Sequence, residues 1–110
     1  MAEEAEVPGR VVIVGTGLIG TSIALAMRDS GAELLLTDRD EAALRMAVEL
    51  GAGSVLPDEG PGEPADLAVL AVPPAAVAGT LLEAQKRGLA AAYTDVGSVK
   101  AGPLAEAAEL

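Results

Sequence analysis

Gly15-Thr16-Gly17-Leu18-Ile19-Gly20 places three glycines at fixed spacing, and an acid, Asp38, follows the last of them by 18 positions. Each glycine has a chemical reading. The first lets the chain turn tightly from a strand into a helix. The second leaves room for a pyrophosphate to approach the backbone. The third lets the helix sit close to the strand. The helix N-terminus then faces the phosphates with free N–H groups and a partial positive charge. Thr16, Leu18 and Ile19 complete this expected cofactor surface. A carboxylate at 38 can accept hydrogen bonds from the hydroxyls of an adenosine ribose, and it repels the extra phosphate of NADP.

The glycine pattern alone is weak, because Gly-rich turns are common. Its context is stronger. Val11-Val12-Ile13-Val14 leads into it, an amphipathic helical pattern follows, and a second apolar run ends on Asp38. The bland alternative is an ordinary strand-to-helix turn in a domain that binds nothing. Asp38 could also cap the next helix, but Asp40 suits that role better. Arg39 can stack on adenine or pair with a phosphate. NAD is therefore favoured, and NADP stays open.

Two later segments could add chemistry. Val72-Pro73-Pro74 follows an apolar run; a Pro there can brace the nicotinamide half of the cofactor or simply start a helix. Thr94-Asp95-Val96-Gly97-Ser98-Val99-Lys100 holds a hydroxyl and an ammonium. These could hold an anionic substrate at the cofactor edge. Ser98 could equally cap a last helix, and Asp95 and Lys100 could be solvated charges.

The elements that must position these residues alternate. Strands are expected over 10–14, 33–37, 67–72 and 90–94, with a short one at 54–56. Helices are expected over 18–30, 40–50, 74–87 and 101–110. Ile19, Ile23, Ala26 and Met27 form the expected buried face of the first helix. Leu44, Ala47 and Val48 do so for the second, and Val77, Leu81 and Leu82 for the third. Residues 53–64 carry Pro and Gly with acids between and read as a loop. The order implies a single α/β domain, a Rossmann-type doubly wound parallel sheet with right-handed crossovers. Its ligand crevice belongs at the carboxyl ends of the strands, where Gly15, Asp38, Val72-Pro73 and Asp95 to Ser98 should converge.

Composition narrows the classes. A chain of 110 residues suits one small domain. Residues 1–9 read as a disordered acidic lead and 10–110 as the dinucleotide-binding domain. The core is light, with 51% apolar residues but Tyr93 as the only aromatic. A net charge of −10 argues against nucleic acid and anionic membranes as partners. Cys and His are both absent, which removes disulfides, thiolate metal sites and the commonest general base. No apolar run is long enough to span a membrane, and the lead lacks the basic start of a signal peptide. A cytoplasmic protein is the default expectation.

Three segments together, Gly15 to Ser22, Ala71-Val72-Pro73-Pro74 and Asp95-Val96-Gly97-Ser98-Val99-Lys100, resemble the prephenate/arogenate dehydrogenase family. The resemblance covers about residues 10–110, and the last segment is its most specific part. It implies an NAD(P)-dependent enzyme of tyrosine biosynthesis that oxidises prephenate or arogenate with loss of carbon dioxide. It implies that Ser98 lies beside the substrate hydroxyl and the nicotinamide. A catalytic His from a later Gly-His-Pro segment would accept the hydroxyl proton. A following helical domain would supply Arg residues for the substrate carboxylates and form a homodimer.

The chain reaches Leu110 before any such His, so it is expected to be the cofactor-binding portion of a longer enzyme and inactive alone. Loss of a general base typically removes about 10²–10⁴-fold in rate. Two other readings stand beside this one. The first is another hydride-transfer enzyme of the same fold, of the β-hydroxyacid dehydrogenase or imine and pyrroline reductase type. The second is a nucleotide-binding module without chemistry.

Overall fold

The computed structural model describes residues 9–96. Residues 1–8 of the expected 1–9 lead, the candidate residues Gly97, Ser98 and Lys100, and the helix over 101–110 lie outside the described residues; Gly9 is described and is hydrogen-bonded to Asp66 and Glu33. Within them the elements are β1 (Arg10–Val14), α1 (Leu18–Asp29), β2 (Glu33–Thr37), α2 (Glu41–Glu49), β3 (Ser54–Val55), β4 (Leu67–Leu70), α3 (Pro74–Arg87) and β5 (Tyr93–Asp95). All strand pairs are parallel, in the order β3-β2-β1-β4-β5. The chain steps outward from β1 to β3, then returns to β4 on the other side of β1. The strand order therefore reverses between β1 and β4, where a doubly wound sheet opens its crevice.

Alternation along each strand splits the core between two faces. Val11, Ile13, Leu34, Leu36 and Val69 point to one face, where Ala24 of α1 and Ala47 of α2 meet them. Val12, Leu35 and Ala68 point to the other, where Ala84 of α3 packs. Each helix thus approaches the sheet through a buried alanine. A chain with no Phe or Trp fills its interior by bringing backbones close rather than by inserting large rings.

This close approach corrects two expected helix faces. On α1 the buried residues are Gly20 and Ala24, with Ile23 and Met27 partly covered beside them. Ile19 and Ala26 are exposed. On α3 the buried residue is Ala84, and Leu82 is 55% exposed. In both helices the line of closest contact selects the smallest side chains. The stripe of α2 stands as expected, with Ala47 buried between the partly covered Leu44 and Val48. Two strand boundaries also shift: β4 stops at Leu70 rather than Val72, and β5 starts at Tyr93 rather than Ala90.

Local chemistry sets the ends. The Asp40 side chain accepts from the N–H groups of Ala42 and Ala43 and starts α2, as expected. Pro74 takes the first position of α3, where its missing N–H costs nothing, and Gly88 ends that helix in the left-handed region at φ 65°. Asp66 Oδ2 accepts from the N–H groups of Gly9 and Arg10, tying the start of β1 to the start of β4. The Tyr93 hydroxyl accepts from the Ala90 N–H at 3.1 Å and donates to the Ala84 carbonyl at 3.2 Å. It links β5 to α3.

Candidate functional site

The ladder of β1 continues one step past the strand on both sides. The Gly15 N–H donates to the Thr37 carbonyl at 2.8 Å, and the Ala71 N–H donates to the Val14 carbonyl at 2.7 Å. The glycine turn is thereby held between the carboxyl ends of β2 and β4. Gly15 has φ 103°, and a Cβ on it would overlap the Ala71 carbonyl oxygen. Both facts require glycine there. A Cβ on Gly20 would overlap the Gly15 carbonyl oxygen and come within 3.0 Å of the Ala71 Cβ. That glycine lets α1 settle onto the turn.

Gly17 differs from its neighbours. Its φ of −72° is open to any residue, and a Cβ there would meet nothing within 4 Å. Nothing in the protein itself demands glycine at 17. The space a side chain would take belongs to the cleft that Gly17 lines. As N-cap of α1, Gly17 offers no side-chain acceptor, and the first turn holds no acid. The leading N–H groups, which have no intrahelical partner, are left for an anion.

Asp38 lies just past β2, across from the turn. Its Oδ2 accepts from the Thr16 N–H at 2.6 Å and from the Thr16 hydroxyl at 2.8 Å. Its Oδ1 accepts from the Asp40 N–H at 2.8 Å. Burial pushes this carboxyl up, but the hydrogen bonds from Thr16, Asp40 and Arg39 outweigh burial and hold it below its ordinary value. It is therefore ionised at neutral pH. Thr16 is buried, and its carbonyl accepts from the Thr21 hydroxyl at 3.0 Å.

The crevice between β1 and β4 has two lobes. One, of about 340 Å³, is bordered by Gly15, Asp38, Arg39, Val72, Pro73 and the α3 side chains Thr80, Glu83 and Arg87. The other, of about 690 Å³, is bordered by Gly17, Leu18, Ile19 and Gly20, by Val72 and Pro73, and by Asp95 and Val96. Val72 and Pro73 stand between the lobes and belong to both. The second lobe is mainly apolar, and Leu18, 86% exposed, stands at it. Among the described residues no three potential ligands gather to hold a metal, and no helix is long and apolar enough to cross a membrane.

A dinucleotide suits this lining. The polar lobe has a charged carboxylate for a ribose, and the Arg39 guanidinium beside it pairs with no other described residue. The apolar lobe offers flat contacts for a nicotinamide ring, and the open space at Gly17 accepts a pyrophosphate at a helix N-terminus. Gly15, Gly17, Leu18, Ile19, Gly20, Asp38, Arg39, Val72, Pro73 and Asp95 all line this one crevice, whereas Thr16 is buried, borders neither lobe and reaches the site only through Asp38. The α3 residues Thr80, Glu83 and Arg87 also line the crevice and lie outside the motifs singled out from the sequence. Their signal was available as a polar stripe at helical spacing directly after Val72-Pro73.

Comparison with known proteins agrees with this geometry. The family model described as prephenate dehydrogenase, nucleotide-binding domain, matches residues 23–110. The match begins beyond the glycine turn, so that turn is independent support. The probable prephenate dehydrogenase NovF of Streptomyces niveus is 51% identical over 89 residues, which cover 81% of this chain and 24% of that protein. The chain thus spans about a quarter of the length of the curated relative it matches. No solved structure gives a significant match. With most of its length inside the family model and 51% identity to a curated relative over 89 residues, the chain belongs to the prephenate dehydrogenase family and corresponds to its nucleotide-binding domain.

Proposed function

We propose that this chain is the cofactor-binding portion of an NAD-dependent prephenate dehydrogenase, a cytoplasmic enzyme that acts as a homodimer in its longer form. The observation that carries the reading is the convergence of the glycine turn, Asp38, Val72-Pro73 and Asp95 on one crevice at the strand-order reversal. The ionised Asp38 favours NAD, since a ribose phosphate would lie against a carboxylate. Arg39 is the residue that would serve NADP instead.

When bound, the oxidised nicotinamide supplies the hydride acceptor for a decarboxylating oxidation. The chain's own residues bind and orient. Gly17 and the first turn of α1 receive the pyrophosphate. Asp38 takes the ribose. Val72, Pro73 and Val96 line the apolar lobe and would shield the ring from water. Ser98, two residues past Val96, positions the substrate hydroxyl. The proton-accepting His and the Arg residues for the substrate carboxylates that the family resemblance implies would be supplied by the longer enzyme.

Calorimetric titration with NAD and NADP tests the cofactor. NAD is expected to bind tighter, with Asp38→Ala eroding that preference. Tighter binding of NADP would transfer the role to Arg39, and binding of neither would sink the reading. In the longer enzyme, Ser98→Ala is expected to lower turnover on prephenate with little change in cofactor affinity. An unaltered rate would return Ser98 to the role of a helix cap.

A further inference from the structure

Thr16 is the buried polar residue among those described, and both of its donors go to one atom. The N–H reaches Asp38 Oδ2 at 2.6 Å and the hydroxyl reaches it at 2.8 Å. A carboxylate oxygen has two acceptor positions, so Thr16 fills Oδ2. The Asp40 N–H takes one position on Oδ1, at 2.8 Å. Three hydrogen bonds thus reach this carboxylate, two on Oδ2 and one on Oδ1. A ligand in the polar lobe therefore meets a carboxylate with one oxygen occupied and the other partly open.

A sugar hydroxyl gains little by displacing Thr16. The N–H is fixed in the backbone of the glycine turn. The hydroxyl sits on a β-branched side chain with restricted rotation, and the Thr21 hydroxyl holds the Thr16 carbonyl from the other side. Swinging either donor away would leave a buried polar group without a partner, which offsets what the new bond contributes.

We propose that Thr16 determines how the ribose is read: by holding Oδ2 of Asp38 it leaves Oδ1 alone to accept from the sugar, so the carboxylate binds one ribose hydroxyl and not two. This rests on the reading of the polar lobe as the adenosine site of NAD. Thr16, which borders neither lobe, is then a positioning residue that sets specificity through Asp38.

The test is calorimetric titration of the 110-residue chain with NAD and with its two analogues lacking the 2′- or the 3′-hydroxyl of the adenosine ribose. One analogue is expected to bind roughly 10-fold or more weaker than NAD, and the other within about 3-fold of it, as one charge-assisted hydrogen bond implies. Thr16→Ala keeps the N–H but removes the hydroxyl and its bulk from beside Oδ2, which opens a position there, so both analogues should then lose affinity. Thr16→Ser, which keeps the hydroxyl, should retain the one-sided pattern. Equal losses with the parent chain overturn the proposal. So does a Thr16→Ala chain that keeps the parent pattern. Absence of binding by NAD itself brings down the cofactor reading, and this inference with it.

Discussion

The Gly15 carbonyl oxygen lies so close to Gly20 that a Cβ on Gly20 would overlap it. This contact seats α1 on the turn that begins the crevice. The obstacle is backbone, so no rotamer change can relieve it. Gly20→Ala is expected to destabilise the chain by about 1–3 kcal/mol, the usual range for overpacking. Urea or thermal unfolding reads this directly, and an unchanged midpoint would remove the contact from the account.

Gly17→Ala should behave in the opposite way. The added methyl meets open space and φ is ordinary, so the loss of stability should be limited to about 1 kcal/mol, the difference between Gly and Ala as an N-cap. Affinity for NAD should fall, by about 10-fold or more if a pyrophosphate oxygen must come against that methyl. Unchanged affinity would show that the pyrophosphate lies elsewhere. Together the two variants separate a glycine needed for folding from one needed for binding.

Asp38 makes stability depend on acid. Its carboxyl is held below the ordinary value in the folded chain, so the folded state binds that proton less readily than the unfolded state. The stabilisation is complete above the unfolded value of about 3.9 and is lost as pH falls through the folded value below it. Melting temperatures between pH 5 and pH 2 should fall less steeply in Thr16→Val than in the parent, because the hydroxyl contributes to the lowering. Parallel curves would place the acid sensitivity on other carboxylates.

Tyr93→Phe removes the hydroxyl that serves both Ala90 and Ala84. The cost should be about 1–3 kcal/mol, as for a partly buried donor and acceptor left unpaired. Dinucleotide affinity should be unaffected, since Tyr93 borders neither lobe. A matching loss of affinity would indicate that β5 transmits changes to the site.

Much of this architecture was legible in the chain. Val11 to Val14 and Leu34 to Leu36 are unbroken apolar runs because both faces of the sheet are covered, and Asp40 announces α2 by local capping chemistry. On α1 periodicity finds Ile23 and Met27 but misplaces Ile19 and Ala26, because it weights large apolar residues, whereas close helix-to-sheet contact selects Gly20 and Ala24. The pairing of Thr16 with Asp38 was not legible at all. It spans 22 positions and exists only because the Gly15 turn and the end of β2 are brought side by side. Asp66 is similar: its role at Gly9 and Arg10 follows from strand order, which no local pattern encodes.

Ala24 lies fully buried between α1 and the sheet, one turn beyond Gly20, and so acts as a shim. Its thickness sets the tilt of a helix whose leading end carries the anion-facing N–H groups. An interior residue that touches no ligand thereby controls the height of the cradle at the surface. Thickening it by even two methyls, as in Ala24→Val, would tip α1 like a lever, and the end at Gly17 would feel the movement.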